Sequence, residues 1–158
     1  VPVRDFYLAV TVRQTPFGAN SGIQFRSQVD RGGHAIGYQA DMGKGGWGKL
    51  YHEHSGRRLL DKTGEGLKHV KPEDWNRYEI LAVGHRIWTA INGHVSVAVR
   101  DPIGELEGFI AFQLHSGGPQ EVIFKDIELI HNPAVTLAGK SEKQLDALLK
   151  PAADTKKR

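Results

Sequence analysis

The chain contains no cysteine, which excludes a disulfide framework and thiolate chemistry and leaves the redox compartment undefined. No apolar run approaches the roughly 20 residues that a membrane helix needs, so membrane insertion is not expected. An excess of one charge is missing too: 21 basic residues stand against 18 acidic ones, for a net charge of +3. Three of the cations are Lys156, Lys157 and Arg158, a solvated tail. A basic stripe with interleaved aromatics is absent, and nucleic-acid binding is therefore not expected. At Val1–Asp5 there is no leader-like stretch; these residues run straight into a strand, as in a mature or excised chain. What the chain has in quantity is glycine, 19 of 158 residues, against a usual share of about 7%. With 39% hydrophobic and 25% charged residues, it reads as one turn-rich globular domain.

Most of the chain has a period of two. Phe6, Leu8, Val10 and Val12 alternate with Tyr7, Ala9, Thr11 and Arg13, as in a half-buried strand. Ser21 to Gln28 and Ile36 to Met42 follow the same rule, and Lys49 to Tyr51 reads as a short strand. Trp75 to Val83, Arg86 to Ile91, Val95 to Val99, Phe109 to His115 and Val122 to Ile130 complete the set. Asn92-Gly93 between two such runs is a strong hairpin signal, because a type I′ turn needs positive φ at both positions. Many strands joined by turns predict an all-β sandwich or jelly roll. The sandwich is expected over residues 1–131, with a linker, a short helix and a basic tail over 132–158. Ser141 is the expected helix N-cap, with Glu142 in the first turn and Leu145, Leu148 and Leu149 forming an apolar stripe.

Parity then picks out polar pairs. Ile23, Phe25, Tyr38, Ile110, Phe112 and Leu114 are expected in the core, which turns Gln24 with Arg26, Gln39 with Asp41, and Gln113 with His115 to the other face. Amide, guanidinium, carboxylate and imidazole groups on one floor suit a sugar, which is bound by bidentate polar contacts beside an aromatic platform. Trp47, on the glycine-rich loop Gly43 to Gly48, is the expected platform. The same loop does not read as a phosphate loop, since no helical period follows Gly48. Solvent-facing strand positions are polar by default, and parity alone leaves a plain solvated face as the competing reading.

His52-Glu53-His54 would put two imidazoles on one face of a strand, which leaves a divalent metal open. No third ligand has diagnostic spacing, so no cofactor is called for. Glu53 is the stronger candidate for acid or base work. A carboxylate pair such as Asp41 with Glu53 fits glycoside chemistry, subject to a separation that sequence does not give.

Six ordered segments carry a resemblance: Asn20-Ser21-Gly22-Ile23-Gln24-Phe25-Arg26, Gly37-Tyr38-Gln39-Ala40-Asp41-Met42-Gly43, Trp47-Gly48-Lys49-Leu50-Tyr51, Trp75-Asn76-Arg77-Tyr78, Ile91-Asn92-Gly93 and Phe109-Ile110-Ala111-Phe112-Gln113-Leu114-His115. Together with Phe124-Lys125-Asp126-Ile127 they resemble the 3-keto-disaccharide hydrolase domain, over about Asp5 to Ile130. Relative to that family, the chain starts without the further strands that usually precede the equivalent of Asp5. The resemblance implies a concanavalin A-like jelly roll in a secreted or periplasmic bacterial protein, acting on 3-keto glycosides. On that reading a ketone at C3 acidifies the C2 hydrogen, and a base removes it and expels the glycosidic oxygen, after which water adds. Asp41 or His115 is the expected base, Glu53 the proton donor to the leaving group and Arg26 the stabiliser of the enolate. Gln24, Gln39, Trp47 and Gln113 complete the expected sugar contacts. A non-catalytic carbohydrate-binding module would use the same floor, since fold does not fix function, and a protein-interaction domain would use the terminal helix.

Overall fold

The structure, a computed structural model, describes residues 1–61 and 63–153. The basic tail residues Lys156, Lys157 and Arg158 lie outside the described residues. Twelve strands form: β1 Pro2–Val3, β2 Phe6–Thr15, β3 Ser21–Val29, β4 Ala35–Met42, β5 Leu50–Glu53, β6 Arg58–Asp61, β7 Asn76–Val83, β8 Arg86–Ile91, β9 His94–Arg100, β10 Gly108–Leu114, β11 Glu121–His131 and β12 Lys150–Pro151. Among the described residues, a 3-10 turn, Glu65–His69, and one helix, α1 Glu142–Asp146, accompany the strands. The strands make two six-stranded sheets, ordered β1-β10-β3-β4-β5-β6 and β11-β2-β7-β8-β9-β12. They pack face to face as a jelly-roll sandwich.

Alternation explains the core. Phe6, Leu8, Val10 and Val12 from β2 meet Ile23 and Phe25 from β3 and Tyr38 and Ala40 from β4, all buried in one cluster. Phe25 and Tyr38, opposite each other across the ladder, stack at 5.3 Å. The β8–β9 turn has φ of 49° at Asn92 and 82° at Gly93, as the Asn-Gly signal requires.

Two expectations about the core are corrected. Phe112 and Leu114 do share a face with the core residues, lying opposite Ile23 and Ser21. They are nevertheless 38% and 66% exposed. The reason is position: β1 pairs with β10 only at Gly108 and Phe109, so the far half of β10 is an open sheet edge. There Phe112 is covered on one side by Phe124, at 4.3 Å.

A second apolar cluster lies behind the second sheet, where Leu81, Trp88, Ala90 and Ala98 meet Leu137 and Leu145. The expected helix starts at its expected cap, because Ser141 and Gln144 form a capping box. Leu145 is fully buried and its carbonyl accepts from the Trp88 indole at 3.0 Å. The chain then adds β12 in parallel beside β9. Of the expected stripe, Leu145 and Leu149 dock within the chain, whereas Leu148 lies past the end of the helix and is 40% exposed.

Candidate functional site

On the outer face of the first sheet, strand register assembles the polar residues in rows. Gln113, Gly22 and Asp41 lie side by side across β10, β3 and β4. Next to them run Ala111, Gln24, Gln39 and Tyr51. One step further, Glu53 stands opposite Gly37. The loop after β4 and the end of β10 wall this floor into a cavity of about 450 Å³ lined by Gln39, Asp41, Tyr51, Glu53, Gln113 and His115, with Asn20, Lys44 and Lys49 at its sides. Larger clefts exist, such as one of about 660 Å³ between Val1–Arg4 and Gly108. Volume does not select the site; convergent polar chemistry does.

Asp41 is the centre of the arrangement. The residue is 8% exposed, and its carboxyl accepts from the Gln39 amide at 3.1 Å. Burial pushes its pKa above the usual carboxylate range, the Gln39 hydrogen bond opposes that, and the nearby Glu53 charge adds to it. A carboxyl that binds its proton tightly is a stronger base once ionised. Burial, together with Asp41 and Glu53, also raises the Tyr51 phenol, which therefore keeps its proton at neutral pH. Gln39 and Gln113 each keep a buried carboxamide oxygen without a donor. Unmet buried acceptors of this kind are costly and suit the hydroxyl donors of a sugar.

At the cavity's mouth, His115 holds its Nδ1 2.6 Å from the Ser116 carbonyl. A carbonyl only accepts, so Nδ1 carries the hydrogen and Nε2 of the neutral ring is left as an acceptor.

Gln39, Asp41, Gln113 and His115 therefore come together as parity predicts, and Glu53, singled out apart from that pattern, joins them. Gln24 shares their face but is buried between Ala111 and Gln39, outside the cavity lining. Two expected residues go elsewhere. The β3–β4 register slips between Phe25 and Gln28, with φ of 48° at Arg26. This bulge turns the Arg26 side chain inward. There it is fully buried and donates to the Arg4 carbonyl at 2.8 Å, the Gly84 carbonyl at 2.7 Å and the Asp5 carboxylate at 3.2 Å. Trp47 is 1% exposed, sandwiched between Phe17 at 6.3 Å and Tyr78 at 6.1 Å. Its loop sends the indole into the core and leaves only the glycine segment over Asp41, so Trp47 offers no face to a ligand.

His52 and His54 do not form a pair on one strand face. His52 lies opposite Tyr38 on the inner face and is held by Glu105 at 2.5 Å and Ser55 at 2.7 Å. His54 stands past the end of β5 and packs on His34 at 4.9 Å. Among the described residues, no three His, Asp or Glu side chains are grouped to hold a metal.

Tyr51, Asn20, Lys44 and Lys49 were not picked out by sequence reasoning. The signal for Tyr51 was available, because it shares the parity of Glu53 on the same short strand. The other three depend on how the loops around Gly18 and Gly43 fold back, which no periodicity records.

Comparison with known proteins gives three findings. The sequence profile of the 3-keto-alpha-glucoside-1,2-lyase-like domain matches residues 1–130. No curated protein matches. Among solved structures, the chain is similar to a Parabacteroides distasonis protein described provisionally as a glycosyl hydrolase, at 17% identity and a TM-score of 0.54, over 83% of this chain and 80% of that one. It is also similar to the carbohydrate-binding module of family 66 from Bacillus subtilis, at 11% identity and a TM-score of 0.52, over 82% and 76% of the two chains. At these identities the likeness is one of fold.

Proposed function

Because the chain belongs to the family of 3-keto-alpha-glucoside-1,2-lyase-like domains, we propose that its outer-face cavity binds a 3-keto glycoside and cleaves it by elimination. The observation that carries this reading is the buried Asp41 carboxyl, raised by desolvation, hydrogen-bonded by Gln39 and set beside Glu53 and Tyr51 in one cavity. The ketone at C3 makes the C2 hydrogen acidic. Asp41 takes that proton, the C2 electron pair forms a double bond to C1, and the C1–O bond to the leaving group breaks. The leaving oxygen collects a proton from the Glu53–Tyr51 side, where the phenol holds its hydrogen. Water then adds across the double bond to complete a net hydrolysis.

In the proton-abstraction step, charge builds on the keto oxygen. Arg26 is spent inside the sandwich, so Lys44 and Lys49 are the cations left at the cavity to meet that charge. His115, with its free Nε2, is the alternative base at the mouth. Gln39 and Gln113 orient the ring through its hydroxyls. The fold likeness to the Bacillus subtilis module supports a second reading, in which the same residues hold a glycan without chemistry.

Proton exchange separates the two. A 3-keto glucoside incubated with the protein in heavy water should lose its C2 hydrogen to solvent faster than it does alone. Tight binding with no acceleration of exchange would favour the module.

A further inference from the structure

Nothing in the backbone demands glycine at positions 22 and 46. Gly45 and Gly48, in the same loop as Gly46, have left-handed φ of 71° and 78°, whereas Gly22 and Gly46 are not among the positive-φ residues. What a side chain at these two positions would displace is the site itself. A Cβ on Gly22 would lie 2.7 Å from both Cγ and Cδ of Gln39, and one on Gly46 would overlap Oδ2 of Asp41. Gln39 thus lies flat across β3, the loop presses on the Asp41 carboxylate, and the Gln39 amide joins the two at 3.1 Å. A strand interior is weakened by glycine, which usually marks a close approach. Here, one glycine from the sheet and one from the loop close on a single carboxamide–carboxylate pair.

From this we propose that Gly22 and Gly46 are positioning residues for Asp41, setting the depth of its carboxyl and its reach into the cavity. The inference rests on the keto-sugar reading only for the turnover part of its test. The two glycines act on Asp41 with opposite signs. A methyl group at Gly46 would push the carboxylate towards solvent and relieve the burial that raises its pKa. A methyl group at Gly22 would displace the Gln39 amide, a donor that favours the ionised form, and the pKa would rise further.

The test is an NMR titration of the Asp41 carboxyl in the full chain, alongside the pH profile of kcat/KM on a 3-keto glucoside. Gly46→Ala should move the titration down and Gly22→Ala should move it up, with the ascending limb of the rate profile following in each case. Each variant should lose turnover on the order of a hundredfold, as expected for a reacting group displaced by about 1 Å. Melting temperatures add a readout that survives poor folding: the loss caused by Gly46→Ala should largely vanish in an Asp41→Ala background, and that caused by Gly22→Ala in a Gln39→Ala background. Unmoved titrations, shifts of the same sign, or equal thermal losses in both backgrounds would overturn the proposal. If the titrations move as stated while neither wild type nor variants process the keto sugar, the positioning role stands and the keto-sugar reading falls.

Discussion

The Arg26 guanidinium donates to the Asp5 carboxylate at 3.2 Å between the two sheets, on the side of β3 opposite to Gln24. The same carboxylate accepts from the Gly84 amide at 2.9 Å, so one buried cation ties β3 to the start of β2 and to the β7–β8 turn. Arg26→Ala should therefore cost about 3 kcal/mol of stability, the low end for breaking a buried pair because Asp5 keeps access to water. Sugar affinity per folded molecule should hardly change. Urea denaturation beside ligand titration checks this, and a lost affinity at unchanged stability would return Arg26 to the site.

Asp41→Asn should lower turnover far more than it weakens binding, since the amide keeps the shape but cannot take a proton. Its stability effect has a definite sign. The folded-state pKa of Asp41 is raised, so as pH climbs through the ordinary carboxylate range the unfolded chain releases its proton first and stability falls. That loss is complete once the folded carboxyl ionises. Asp41→Asn removes it, and the variant should melt at or above the wild-type temperature at neutral pH. The gain should disappear below about pH 3.9, the unperturbed aspartate pKa. Melting curves across this range decide the matter.

Tyr51, rather than Trp47, should serve as the aromatic platform of the cavity. Trp47→Ala empties a packed aromatic stack and should cost about 3 to 5 kcal/mol. Tyr51→Ala removes the aromatic surface of the cavity and should weaken sugar binding by about tenfold, or 1.4 kcal/mol, with a smaller effect on stability. Calorimetric titration and thermal melts on both variants distinguish the two positions.

These residues show how far the sequence could be read. Strand positions, sheet faces and the strand-borne polar floor of the cavity are legible because a period of two forces alternate side chains to opposite faces, as in Gln39 and Asp41 against Tyr38 and Ala40. Arg26 obeys the pattern in sequence and breaks it in space, since one left-handed residue shifts the parity of a strand. Trp47 was misread because a loop sets its own side-chain directions. The close approach of Gln39 to Gly22 arises between neighbouring strands, and β12 returns to the sheet after the packing of Leu145 on Trp88. Neither leaves a local trace.

The central claim is tested most directly by following release of the leaving alcohol from a 3-keto glucoside and from the parent glucoside, with wild type and with Asp41→Asn. Release from the keto substrate alone, abolished in Asp41→Asn while the sugar still binds, is the predicted result. Equal release from the parent glucoside, or full activity in Asp41→Asn, would contradict elimination by Asp41 in this cavity.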